Sequence, residues 1–313
     1  LCGCHEANSS LITSVFDNII PTLPRSTTTL VLATRRSPLA LRQAEMTRAA
    51  LAAMPGAWWK KIDLLELSTT GDNRRDWSLA QTGGKGLFTR ELEDALLEGR
   101  AHLAVHSSKD LPTTLPDGLT LAGFLPRADP RDVLVRREEV KIPQRIATGS
   151  PRRRAQAQAW WPKVEWTEIR GNLDTRLKKI ATGEADATFL AAAGLDRLGI
   201  ETFPGLVFEK LSIEKMIPAA GQGAIALECR VEDAAQYAPA LCAKTARAIF
   251  VERAALAALG GGCQSSSAVH LAGNNLHVYH EPKGRAVFAI KNKLVEDAIA
   301  AAVAAIQAWL KSK

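Results

Sequence analysis

No stretch of this 313-residue chain approaches the roughly 20 uninterrupted apolar residues that a membrane-spanning helix requires. The nearest, over 298–310, is Ala-rich and too short, and it reads as an amphipathic helix. Cysteine is scarce and odd in number: Cys2, Cys4, Cys229, Cys242 and Cys263. Their spacing excludes a disulfide framework and points to a reducing compartment, the cytoplasm. Cys2 and Cys4 have no second pair to complete a metal clip, so no metal site is expected. Residues 1–28 lack the charged-then-apolar layout of a secretory signal. They are Ser/Thr-rich, broken by Glu6 and Asp17, and read as a disordered extension that leaves a plastid location open. The chain opens on Leu1 rather than Met, which suggests a truncated or misassigned start. Two catalytic signatures are also missing. No Gly-x-Ser-x-Gly elbow accompanies His106 and Ser107, which argues against a serine hydrolase. Gly83-Gly84-Lys85-Gly86 has Leu79 where a phosphate loop needs Gly and Gly86 where it needs Ser or Thr, although Lys85 can still bind an anion.

What is present is core material and positive charge. Apolar residues make up 46% and charged residues 23%, and 313 residues suffice for two or three domains. The net charge of +7 favours anionic partners.

The pattern alternates strand and helix. An apolar run at 30–33 leads to Ser37-Pro38, a plausible N-cap and first helical residue, and then to apolar residues in helical rhythm. A near-copy follows at 146–151, where Ala-Thr, Gly, then Ser150-Pro151 open a second helix. The spacing predicts further strands at 62–68, 101–105, 164–169 and 187–190. It predicts helices at 86–99 and 173–180 and another through Leu198, with a loop at 106–112 and a crossover at 127–131. This implies two similarly built α/β units with parallel sheets. From about Ala243 the pattern becomes α+β: a helix at 245–259, a Gly-rich turn at 260–263, two or three strands, and a closing helix at 295–310.

Three strand-to-helix junctions carry unusual cations. Arg152, Arg153 and Arg154 fill the first turn of a helix, where Asp or Glu would suit the dipole. They either point into water or, as favoured here, converge on a multiply charged anion. Arg35 and Arg36 precede the sister helix, and Arg170 and Arg176 flank a third junction. In such sheets ligands bind outside the carboxyl ends of the strands. Lys109 and Asp110 end a strand in the same topological place; an acid among cations suits a reaction that builds positive charge or moves protons on a polyanion. Cys263 follows three glycines, the setting of an exposed attachment point.

These residues fall in ordered motifs. They are Ala-Thr-Arg-Arg-Ser-Pro-Leu-Ala-Leu-Arg-Gln-Ala at 33–44, Thr-Thr-Gly-Asp at 69–72 and Gly-Gly-Lys-Gly-Leu-Phe-Thr-Arg-Glu-Leu-Glu at 83–93. Val-His-Ser-Ser-Lys-Asp-Leu-Pro-Thr at 105–113, Ser-Pro-Arg-Arg-Arg at 150–154 and Arg-Gly-Asn-Leu-Asp-Thr-Arg at 170–176 continue them. Leu-Ala-Ala-Ala-Gly-Leu at 190–195, Ile-Pro-Ala-Ala-Gly-Gln-Gly-Ala at 217–224 and Gly-Gly-Gly-Cys-Gln at 260–264 complete the set. From about Leu30 to near the C-terminus the chain resembles the porphobilinogen deaminase (hydroxymethylbilane synthase) family.

The resemblance implies an α/β fold with two periplasmic-binding-protein-like domains, parallel-rich sheets and a small α+β C-terminal domain. The expected division is 29–125 with 217–240, then 126–216, then 241–313, after the extension at 1–28. It implies a transferase of tetrapyrrole and heme biosynthesis that condenses four porphobilinogen units with loss of ammonia and releases hydroxymethylbilane. A dipyrromethane cofactor would be held by a thioether to Cys263. Asp110 would be the catalytic acid. Lys85, Lys109, Asp110, Thr148, Ser150, Arg152 and Arg153 would hold the cofactor, and Arg35, Ser37, Arg170 and Arg176 the substrate. The implied partner is porphobilinogen, with no nucleic acid, no membrane and a monomeric chain. Ser265-Ser266-Ser267 departs from the more apolar, Pro-containing run common in relatives, which bears on packing of that loop. Two rivals are weighed: a two-lobed binding protein without catalysis, which has no use for Cys263, and a nucleic-acid binder, for which Trp160, Trp161 and Trp166 lie near the arginines.

Overall fold

The computed structural model describes residues 28–73, 88–261 and 265–312. In the first part, β1 (Thr29–Arg35), α1 (Pro38–Ala52), β2 (Lys61–Leu67), α2 (Thr70–Asn73), α3 (Arg90–Leu97), β3 (Leu103–Ser107) and β4 (Leu119–Phe124) follow in order. The next part contains β5 (Asp132–Arg137), β6 (Arg145–Ala147), α4 (Pro151–Ala157), β7 (Glu165–Thr167) and α5 (Leu173–Ala181). It ends with β8 (Ala187–Ala191), α6 (Ala192–Arg197) and β9 (Leu206–Lys210). The chain then returns through β10 (Ile225–Arg230) and finishes with α7 (Ala243–Ala258), β11 (Ala268–Ala272), β12 (Asn275–His280), β13 (Gly284–Ala289) and α8 (Val295–Lys311).

The first sheet has the order β2-β1-β3-β10-β4 and the second β7-β6-β8-β5-β9. The two orders are the same pattern. In each, a parallel core is built from a strand, its helix and the next strand, and one antiparallel strand is inserted before the edge. The inserted strands, β10 and β5, are the ones that lie just past the crossing between the sheets. The sheets are therefore mixed rather than purely parallel. The third sheet, β11-β12-β13, is antiparallel and packs under α7 and α8 through Val251, Ala255, Leu276, Val278, Ala302 and Ile306.

Local chemistry explains the repeated junctions. Ser37 accepts the backbone N–H of Ala40 at 3.3 Å and Ser150 that of Arg153 at 3.4 Å, each followed by Pro at the first helical position. Asn172 caps α5 in the same way, accepting from Thr175 at 2.9 Å. The structure departs from the pattern in three places, and at one of them buried charge is the reason. β10 was not anticipated because Glu228 interrupts its apolar run. That carboxylate is fully buried and faces His106 Nε2 at 2.9 Å. The helix expected from residue 86 begins at Arg90, after Thr89; Gly86 and Leu87 lie outside the described residues. The loop expected at 106–112 is instead the end of β3 followed by a tight 3-10 turn at Ser108–Asp110.

Two chain crossings join the sheets, at 125–131 and 211–224, and they are pressed together. A Cβ on Gly223 would sit 2.6 Å from the Ala128 carbonyl oxygen, and one on Gly221 2.5 Å from Ser108 Oγ. Both glycines adopt positive φ, 87° and 76°. A buried ion pair fastens this junction to α7. Arg127 donates to both oxygens of Glu252 at 2.6 and 3.1 Å, and Glu252 also accepts from the backbone N–H groups of Gly221 and Leu271, each at 2.8 Å. Burial would raise the Glu252 carboxyl, but Arg127 and His270 outweigh it and hold it near 2 against an ordinary 4.5. Its stabilisation is therefore complete above about 4.5 and is lost as pH falls toward 2. Glu252→Gln is expected to cost about 3–5 kcal/mol at neutral pH, because Arg127 stays buried without its counter-charge. Urea melts from pH 7 to pH 3 test this: the gap between wild type and variant should narrow as acid is added, and a constant gap refutes the assignment.

Candidate active site

The carboxyl ends of β3, β6 and β7 and the first turns of α4 and α5 face a common cleft of about 210 Å³. Lys109, Asp110, Thr148, Ser150, Arg152, Arg153, Arg170 and Arg176 all line it, with Gln222 from the return crossing. The third part contributes Leu256 from α7 together with Ser265 and Ser267. The structure thus brings together eight of the residues singled out from sequence. Arg35 and Ser37 are not among the lining residues: the Arg35 guanidinium lies 4.4 Å from the centre of the Phe88 ring, and Ser37 caps α1. Lys85 and Cys263 lie outside the described residues. A second hollow of about 290 Å³, at the edge strand β7, is lined by Arg145, Glu165, Glu168 and Glu184. Those charges already pair, Arg145 with Glu165 at 2.9 Å and Arg170 with Glu168 at 3.1 Å, and the hollow has no comparable chemistry.

The three consecutive arginines of α4 divide by helical geometry. Arg154 is exposed and turns to the Trp166 ring at 6.0 Å. Arg152 and Arg153 are buried, and neither reading of the sequence anticipated their first partner. Arg152 forks onto the two oxygens of Asp132 at 2.8 and 3.2 Å and donates to the Ile217 carbonyl at 2.8 Å. Arg153 donates from Nε to Asp132 at 2.9 Å and to the Phe189 carbonyl at 2.7 Å. Most of their donors are therefore committed to the protein. Only the remaining donors of each fork can meet a ligand. Asp132 is fully buried. Burial alone would raise its carboxyl, but Arg152 and Arg153 hold it well below the ordinary 3.8. The sequence carries one sign of it: the acid stands directly before the apolar run Val133-Leu134-Val135, where burial with the strand requires a paired cation.

Charge in the cleft remains unbalanced. Five cations line it against one lining carboxylate, Asp110. Asp132 and Glu168 offset part of that excess and leave the rest for an anion. Lys109 is pushed down to about 8, first by burial and then by Arg153. Arg176 is pushed down to about 10, again by burial first and then by Arg153 and Arg170, and stays charged at neutral pH. Asp110 is exposed at the end of the 3-10 turn, and its carboxylate has no hydrogen-bond or ion-pair partner among the described residues. An unengaged acid surrounded by Lys109, Arg153 and Arg176 is placed to meet a positive charge arising on a bound polyanion. Ser107 and His106 do not form a nucleophile–base pair: Ser107 Oγ meets the Gln43 amide at 2.9 Å, while His106 faces Glu228. The tryptophans weighed for a nucleic-acid surface pack instead on the second sheet. Trp160 and Trp161 meet edge-on at 5.5 Å, and Trp160 contacts Phe189.

Known proteins bear on this geometry. The family model described as porphobilinogen deaminase, dipyromethane cofactor binding domain, matches residues 30–238. A curated porphobilinogen deaminase of Sphingopyxis alaskensis is 45% identical over 252 residues, covering 77% of this chain and 79% of that protein. Among solved structures, the periplasmic VFT2 domain of Bordetella pertussis BvgS aligns at 15% identity and a TM-score of 0.42, over 68% of this chain and 86% of that one. The Escherichia coli periplasmic aliphatic sulphonate binding protein SsuA aligns at 17% identity and a TM-score of 0.38, over 74% and 70%.

Proposed function

This chain belongs to the porphobilinogen deaminase family, and we propose that the cleft between its two five-stranded sheets is where porphobilinogen units are joined. The enzyme is a transferase that condenses four porphobilinogen molecules head to tail, losing one ammonia at each step, and releases linear hydroxymethylbilane. The observation that carries the site assignment is the surplus of cations around one unengaged carboxylate. Each pyrrole of the product carries acetate and propionate groups, so the growing chain is a polyanion that guanidinium forks bind well.

The residues suit the dipyrromethane cofactor. The cleft's uncompensated cations call for carboxylates, and Ser265, two positions after Cys263 in the sequence, lines the cleft. When bound through Cys263, that group supplies the free pyrrole α-carbon to which substrate is joined. In this reading Lys109, Arg153 and Arg176 hold carboxylates. Thr148 and Ser150 offer hydroxyls at the mouth of α4, and Arg152 acts mainly as a strut on Asp132. Arg170 also faces substrate carboxylates, with Lys85, Arg35 and Ser37 assigned by motif alone. As the carbon–nitrogen bond of porphobilinogen breaks and ammonia leaves, positive charge spreads over its ring. Asp110 stabilises that charge, and then accepts a proton released when the new carbon–carbon bond forms. The division into 29–125 with 217–240, 126–216 and 241–313 is proposed with it, the crossings at the base of the cleft serving as the hinge. Among the described residues no helix is long and apolar enough to cross a membrane. The cytoplasm is the proposed location, on the strength of the odd number and the spacing of the cysteines.

Intact-mass measurement tests the attachment. The purified protein should exceed its sequence mass by one dipyrromethane, and Cys263→Ser should remove that increment together with activity. An unmodified, fully active wild type would overturn the assignment of Cys263.

A further inference from the structure

Gln222 is fully buried, sits between the two positive-φ glycines of the return crossing, and lines the cleft. Its side-chain amide nitrogen donates to the Pro130 carbonyl at 2.7 Å, on the other crossing. Its amide oxygen accepts from Lys109 Nζ at 3.4 Å and from Arg152 at 3.5 Å. Its own backbone carbonyl accepts from Arg127 Nε at 2.9 Å. Lys109 follows β3 of the first sheet, whereas Arg152 opens α4 of the second. One oxygen atom is therefore shared by a cation from each lobe, and the same side chain is tied to both crossings.

We propose that Gln222 is a positioning residue of the coupling site, its carboxamide oxygen holding Lys109 of one lobe and Arg152 of the other at a common acceptor while its amide nitrogen anchors that acceptor to the crossover at Pro130. The inference rests on the reading of the cleft given above. The chemistry requires an amide. The Pro130 carbonyl needs a donor and the two cations need an acceptor, and a carboxamide presents the two on separate atoms of one side chain without adding charge. A carboxylate here would neutralise a cation that the polyanion must meet, and would set an oxygen against the Pro130 carbonyl. An aliphatic side chain would take this acceptor from Lys109, leave Arg152 to Asp132 and Ile217 alone, and leave the Pro130 carbonyl without its donor. The two contacts to the cations are the longest in the network, so they yield first when the lobes separate. Gln222 thereby couples opening of the cleft to the placement of Lys109.

Lys109 also faces Asp110 from its own turn, Arg152 and Arg153 from α4 and Asp132 from β5. Withdrawing the Gln222 oxygen removes support for its charged form, and placing a carboxylate there adds support. The test uses the holoenzyme and two variants, Gln222→Leu and Gln222→Glu, each checked for folding by its thermal transition. Two quantities are followed against pH: acetylation of Lys109 read by peptide mass spectrometry, and kcat/KM for porphobilinogen. In wild type the labelling midpoint and the alkaline fall in kcat/KM should coincide, at or above about 8, because cofactor carboxylates beside Lys109 favour its charged form. Gln222→Leu should lower both by about half a unit or more and reduce kcat by about tenfold. Gln222→Glu should raise both. Lys109→Arg should abolish the alkaline fall. Midpoints that stay in place in both folded variants, whatever the loss of rate, overturn the proposal. If wild type fails to consume porphobilinogen, the reading of the cleft falls instead, and the labelling midpoints still decide the role of Gln222.

Discussion

Asp110→Asn should lower kcat by about 10²–10⁴-fold while leaving the melting temperature nearly unchanged. The asymmetry follows from the surroundings of the side chain. Asp110 is exposed and makes no hydrogen bond or ion pair among the described residues, so little of the fold depends on it. A substitution of that kind is usually worth no more than about 0.5 kcal/mol. The same freedom is what makes its charge available to substrate. A carboxylate already committed to Lys109 or Arg153 would have to be withdrawn from them before it could meet a developing cation. Asparagine keeps the shape and removes the charge, which isolates the electrostatic contribution from packing. Asp110→Glu keeps the charge but displaces it by one methylene and should recover part of the rate. Steady-state assays with porphobilinogen, alongside thermal melts, measure both quantities. An asparagine variant retaining a tenth or more of the wild-type kcat would remove Asp110 from the chemistry.

Asp132 should behave in the opposite way. Asp132→Asn is expected to destabilise the fold by about 3–5 kcal/mol, because Arg152 and Arg153 would keep their burial and lose their shared counter-charge. For a chain of this size that is a fall of about 5–8 °C in the melting temperature. Activity should fall with it, since both arginines line the cleft and are oriented by this one carboxylate. The pH dependence has a definite sign. The folded-state carboxyl lies below its ordinary 3.8, so its stabilisation is present above about pH 4 and is lost as pH falls below it. Wild type should therefore lose its advantage over the variant in acid. The idea would be sunk by a variant that melts within about 1 kcal/mol of wild type at pH 7, since the two arginines would then not depend on Asp132.

The contrast between these two aspartates marks how far the primary structure could be read. Asp110 was recognisable because its neighbours in the chain, Lys109 before it and Leu111-Pro112 after it, form one short motif at a strand end. Asp132 stands one position past the crossover expected at 127–131 and beside an apolar strand, with no motif to mark it. Its importance comes from partners 20 and 21 positions away, brought to it by the return of α4 onto the sheet. Gln222 is a stronger case. The segment around it was recognisable, but its contacts reach 70 positions to Arg152 and 113 to Lys109. The helix caps lie at the other extreme. Ser37, Ser150 and Asn172 each bond a backbone group three positions on, and all three junctions could be placed before any tertiary contact was known.

The amino-acid sequence by itself determined the elements that depend on near neighbours: capped helices, the paired α/β plan, the strand-end clusters of cations and the motifs that define the family. The tertiary structure alone decided which of those cations are spent inside the protein and which remain for a ligand, that an acid-bearing strand such as β10 would complete the first sheet, and that one amide would bridge the two lobes. The physical reason is range. Capping and periodicity act through a few bonds along the chain, whereas neutralisation of a buried charge depends on distance in space, which is settled only when remote segments have packed together.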